Sequence, residues 1–196
     1  MERDSAGSPF AVKRRWYEAS RRPIMSLTKS VSNITLEGAK VLIAAAEAKA
    51  TEMVRCIRPR LHPTPPHRAG GRALTVPVRA QGVPMNIAIV DAGTHLVAFE
   101  RMEGAKTTST SIAMDKAFAA AGHLMTTRAL AERAGPTGIA FGMHTTNGGR
   151  LNIIPGGVPL EDSAGTVIGG IGCSGGTPDQ DEEVCEAAIA ALTARL

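Results

Sequence analysis

The 196-residue chain is long enough for one domain with a sizeable core and too short for two comfortable ones; 43% of it is apolar but only 3% aromatic, so that core must be built from Ala, Val, Ile, Leu and Met. Its net charge of +4 comes from two stretches, +3 on residues 1–24 and +6 on residues 54–81, leaving −5 on the remainder, so the body is acidic and the high pI argues for no nucleic-acid partner. No run of 18 apolar residues occurs, so no membrane partner or span is expected, and three cysteines without paired spacing (Cys56, Cys173, Cys185) suggest a reducing compartment and no zinc or other metal site.

Residues 1–24 lack a hydrophobic period and read as a disordered extension or a start placed too early, since "MSLTKS" from Met25 is an ordinary beginning. Arg and Ser there would suit a mitochondrial presequence, but Glu2, Asp4 and Glu18 count against one, and a cytoplasmic location is expected. Next, Leu36, Ala39, Ile43, Ala46, Ala50 and Met53 recur at spacings of three and four behind Thr35, a suitable N-cap, and predict a helix.

Residues 54–81 break the pattern. They hold six arginines, no acid and five of the chain's twelve prolines, with no period on which a core element could be built. Beyond them "VPMNIAIVDAG" and "HLVAFERMEGA" read as strands joined by a turn at Asp91–Thr94. "STSIAMDKAFAAAGHL" is helical, with Ile112, Lys116, Ala119, Ala120 and His123 on related faces, and "TTRALAERAGP" is a short helix stopped by Gly135-Pro136. "GRLNIIPGG", "GVPLED" and "GTVIGGIGCSGG" predict three more strands. A last helix carries Val184, Ala188, Ala191 and Leu192 inward and acids in its first turn. Tight turns between strands argue an α+β domain with an antiparallel sheet and helices packed on it.

From "IAIVDAGTHLVAFERMEGA" through "MDKAFAAAGH", "GGRLNIIPGGVPL" and "VIGGIGCSGGTPDQDEEVCEAA", the chain resembles the GlcG/HbpS family, which includes the C-terminal domain of PduO-type corrinoid adenosyltransferases. The resemblance implies a five-stranded antiparallel sheet flanked by helices, profilin-like, in a single domain over residues 25–196, and a homo-oligomer. It offers no counterpart to the ATP-binding adenosyltransferase half of PduO. In the family the first helix runs straight into the first strand, so residues 54–81 read as an interruption. Their 28 codons can begin with GT and end with AG, which suggests a retained intron in a filamentous-fungal gene; a basic lid is the competing reading.

Arg101, Lys116 and Arg150 are candidate anion anchors, Arg101 through a two-pronged grip on a carboxylate, unless it pairs with Glu100, Glu103 or Asp115 instead. With the family resemblance, a ligand pocket between the Arg101–Met102 loop and the Gly156-Gly157 turn is expected. The glycine strings carry neither a P-loop nor a dinucleotide fingerprint, so no nucleotide cofactor is expected; Gly175-Gly176 leads into the last helix, whose N-terminus could hold an anion, although tight turns and close strand packing explain the glycines better. For haem, which the resemblance implies as cofactor, His95, His144 and Met102 are the axial candidates. Lys116 and His144 are the candidates for moving protons if the chain is an enzyme. Three functions therefore stand: an accessory protein binding haem, a related tetrapyrrole or a small anionic ligand; a lyase or isomerase of fungal secondary metabolism; and a structural assembly partner.

Overall fold

A computed structural model describes residues 31–53 and 82–195. The expectations for residues 1–24, the start at Met25 and the 54–81 segment lie outside the described residues. From Ser32 onward the described residues belong to one compact unit.

Helix α1 (Leu36–Glu52) is capped by Thr35, whose hydroxyl accepts from Gly38 N at 3.1 Å, and it buries Ala39, Leu42, Ile43, Ala46 and Ala50. Leu36, expected on that face, is exposed at the first helical position, one turn before the first buried residue of the stripe, Ala39. Strands β1 (Asn86–Asp91) and β2 (Leu96–Arg101) form the expected hairpin; Asp91 Oδ1 accepts from His95 N at 2.8 Å and holds the turn. Helices α2 (Ser109–His123) and α3 (Thr127–Ala134) follow, then two 3₁₀ turns, Met143–Thr145 and Asn147–Gly149. Strands β3 (Gly157–Glu161) and β4 (Val167–Ser174) lead into α4 (Pro178–Thr193).

The sheet is antiparallel throughout, in the order β2-β1-β4-β3. Because strand side chains alternate, central β1 points Ile87 and Ile89 toward α1 and α4 and Ala88 and Val90 toward α2. The result is three layers, with α1 and α4 on one face and α2 on the other. Helix α2 lies close to β4 because small residues meet: a Cβ on Gly170 would stand 2.7 Å from Ala117 O. This confirms close packing as the purpose of the Gly169-Gly170 pair.

The described residues hold four strands, not five. "GRLNIIPGG" stays irregular because its hydrogen-bonding groups are satisfied locally: Asn152 N donates to Arg150 O (2.9 Å), Ile154 N to the Asn152 side chain (2.9 Å), and Pro155 has no N–H to offer a ladder. Pro159 is tolerated within β3 because β3 is an edge strand. No helix among the described residues is long and apolar enough to cross a membrane.

Candidate functional site

Lys116, Gly156 and Gly157 do converge, but on a closed node. Lys116 is fully buried on α2; its ammonium donates to Asp181 Oδ2 at 2.7 Å and to Cys173 O at 2.9 Å. The other oxygen of Asp181 accepts from Gly175 N (3.1 Å) and Gly176 N (2.8 Å). The backbone amides leading into α4, a candidate anion site, are thus occupied by the chain's own carboxylate. Gly156 has φ +114°, and a Cβ there would stand 2.6 Å from Asp181 Cβ and 2.8 Å from Lys116 Nζ, so only glycine fits. Its carbonyl accepts from Cys185 Sγ at 3.3 Å, while Thr127 Oγ1 accepts from Gly157 N at 2.9 Å.

An ion pair taken wholly out of water holds only with further hydrogen bonds around it, and here the Cys173 carbonyl supports the ammonium and two backbone amides support the carboxylate. The node pins α2, α3, β3, β4 and α4 together. Lys116 has no route to a substrate from this position. Burial pushes the Cys173 thiol well above its ordinary range, with the neighbouring Cys185 side chain adding to the effect, so this thiol stays protonated and inert.

Arg101 is exposed at the end of β2, opposite Asn86. Asp115, one of its possible partners, is held by Arg150 instead. Met102 extends the hairpin ladder: its N–H donates to Met85 O at 3.0 Å and its sulfur accepts from Met85 N at 3.3 Å. Beside it lies an open cleft of about 310 Å³ lined by Thr51, Gly82, Pro84, Met102 and Glu103. This cleft faces the end of α1; the Gly156-Gly157 turn that was expected to share a pocket with Met102 is sealed in the Lys116 node.

The 3₁₀ segment carries a different arrangement. Arg150 is half exposed, with Nε 3.2 Å from Asp115 Oδ1 and its guanidinium 4.0 Å above the Phe118 ring. Both contacts hold the group in place while leaving it open to solvent. His144 lies edge to face with Phe141, 6.2 Å between ring centroids, and its Nδ1 is buried with no hydrogen-bond partner among the described residues. Phe141 itself is 65% exposed, and the same irregular segment between α3 and β3 leaves Ile139 fully exposed and Ile154 46% exposed, an unusual density of bare apolar surface. His95, by contrast, stands at the hairpin turn, 83% exposed and 3.4 Å from Asp91 Oδ1. The six residues of β2 separate it from Met102 by roughly 20 Å, so these two cannot serve one iron within a chain.

The three cationic candidates therefore do not share a pocket, and the three axial candidates lie in three places. Sequence reading missed Asp181 as the partner of Lys116, Thr127 and Cys185 as the groups that hold Gly157 and Gly156 beside it, and Asp115 and Phe118 as the setting of Arg150. Only Asp181 left a signal, as an acid in the first turn of the last helix.

Residues 68–190, more than half of the chain, match the family model described as "Haem degrading protein HbpS-like". The chain belongs to the HbpS-like family. It is 30% identical over 165 residues, 84% of its own length and 96% of the relative's, to the "Uncharacterized 15.0 kDa protein in dhaT-dhaS intergenic region" of Citrobacter freundii. At this chain's mean residue mass (20.4 kDa over 196 residues), 15.0 kDa is about 144 residues and 96% of that about 138, so roughly 27 of the 165 residues spanned have no counterpart. A second relative is the corrinoid adenosyltransferase PduO of Citrobacter freundii, 34% identical over 125 residues, 63% of this chain but only 37% of PduO. Among solved structures, the PduOC:heme complex superposes with a TM-score of 0.63 at 25% identity, covering 81% of this chain and 94% of that one. This HbpS-like chain thus corresponds to a minor part of PduO.

Proposed function

We propose that this HbpS-like chain is an accessory protein that binds haem or a related tetrapyrrole, with small anionic metabolites as the next ligand class, and that it works as a cytoplasmic homo-oligomer. The observation that carries the reading is His144: an imidazole with one nitrogen buried and without a partner among the described residues, packed against the exposed Phe141 ring, six residues from a guanidinium that is held in place yet open to solvent. These residues fit the group. His144 would supply the axial nitrogen, Ile139, Phe141 and Ile154 the apolar contact, and Arg150 a charged hydrogen bond to a carboxylate arm. When bound, haem supplies iron-centred redox and ligand-binding chemistry; the chain's own part is to orient it and shield one face from water. The haem complex of a structural relative points the same way. Of the three axial candidates, Met102 has its sulfur engaged by Met85 N–H and His95 stands in a polar turn, which leaves His144 favoured.

The lyase or isomerase reading loses Lys116, one of its two candidates for moving protons, because Asp181 seals it. Titrating the full chain with haem and following the Soret band tests the proposal. Saturation at one haem per chain supports it, and a flat titration on folded protein rejects it.

A further inference from the structure

A metal-bound histidine ordinarily donates its second ring N–H to a carboxylate, a backbone carbonyl or a water, which fixes the ring and raises the basicity of the ligating nitrogen. His144 lacks this support. Its Nδ1 is buried and meets no partner among the described residues, and the neighbour beside the ring is Phe141, which orients the imidazole by shape and offers no lone pair. Only Nε2 is left to meet an iron, from a ring whose other nitrogen has no acceptor among the described residues. The neighbour of the ring is itself open to solvent, Phe141 being 65% exposed, and the same segment leaves Ile139 and Ile154 exposed as well. A planar ligand resting there would be covered on one side.

Resting on the haem reading above, the geometry points to a transferable ligand: His144 Nε2 holds haem by a weak proximal bond on an open apolar surface, and the chain passes it on to an acceptor rather than retaining it. Loss of the outer partner of a ligating histidine typically lowers metal affinity about 10–100-fold, and this site lacks that partner from the outset. The transfer is a ligand exchange. Nε2 releases the iron, a donor on the acceptor protein takes it, no electron moves, and the imidazole keeps its Nδ1 proton.

The test uses the full chain loaded with ferric haem, with excess apomyoglobin as acceptor. The iron–imidazole stretch of the reduced complex, read by resonance Raman, should fall at the low-frequency end expected of an imidazole whose Nδ1–H has no acceptor. Haem should move to apomyoglobin within minutes. His144→Ala should remove the band and weaken haem binding at least tenfold, and added imidazole should restore the band in His144→Gly. Haem that apomyoglobin fails to extract over hours, or a His144→Ala spectrum equal to that of the parent, would overturn the inference while leaving haem binding intact. A flat titration of folded parent protein would overturn the functional reading and this inference with it.

Discussion

Removing residues 54–81 and joining Met53 to Gly82 should give a protein that folds and is more stable than the full chain. The two ends already behave as chain neighbours. A Cβ on Gly82 would stand 2.7 Å from Thr51 Cα, and Val83 N donates to Ala50 O at 2.8 Å. In the joined chain Val83 would stand five residues after Ala50, so this becomes the 6→1 bond of a Schellman helix ending, with glycine at the position after the cap. Buried Val83 would lie over buried Ala50, the apolar contact that accompanies such endings. Met53, extended at φ −68° and ψ 138°, must turn to complete it.

The gain can be estimated from closure entropy. Taken as flexible chain, 28 residues cost (3/2)RT ln 28, about 3 kcal/mol, to close. For a domain of this size the same energy is worth roughly 6–12 °C in melting temperature. Differential scanning calorimetry of the two proteins at matched concentration is the assay. A deletion protein that melts below the full chain, or fails to fold, would refute the reasoning and show that residues 54–81 contribute contacts of their own. Transcript sequencing bears on the origin of the segment: a message that keeps all 84 nucleotides in every copy would exclude a retained intron.

Asp181→Ala should destabilise by about 3–5 kcal/mol in urea melts because it strands a buried ammonium, and Lys116→Met with Asp181→Leu should recover most of the loss. If the double variant is no better than the single, the pair is not a self-contained node. Gly170→Ala should cost about 1–3 kcal/mol by forcing α2 off β4, read as a lower urea midpoint at unchanged slope. Glu100 has a carboxyl raised above its usual range, first by burial and then by Glu47 beside it. An acid raised in the folded state contributes nothing while both states are protonated, and it destabilises as pH climbs through the unfolded value and past the folded one. Glu100→Gln should therefore raise the melting temperature at pH 7 and leave it unchanged near pH 3; equal shifts at both pH values would contradict this sign.

Much of the fold was legible because it depends on periodicity. Ala39, Ile43, Ala46 and Ala50 share one helix face whatever they pack against, and the Asp91–Thr94 turn announces a hairpin from four residues. The fifth strand was the main miss. "GRLNIIPGG" has β-forming side chains, but whether its amides enter a ladder depended on Asn152 and Pro155 satisfying or removing them first, a competition that periodicity does not register. Leu36 was misplaced because periodicity assigns a face and does not say how far along the helix that face is covered.

For the site, residue types were visible and their partners were not. Lys116 reads as a substrate anchor in isolation, because a lysine is almost never fully buried unless it is paired. Asp181, 65 residues further along, makes it structural instead. Arg150 and His144 stood out in the sequence by residue type, but that Phe118 and Asp115 hold the one, and that the other has a nitrogen without a partner among the described residues, are facts of three-dimensional neighbourhood. The sequence by itself determined the helices, the hairpin, the acidic body and the family. The tertiary structure alone decided which charges are buried in pairs and which stand free, because the cost of a charge depends on what replaces its water, and that is settled only when distant segments meet.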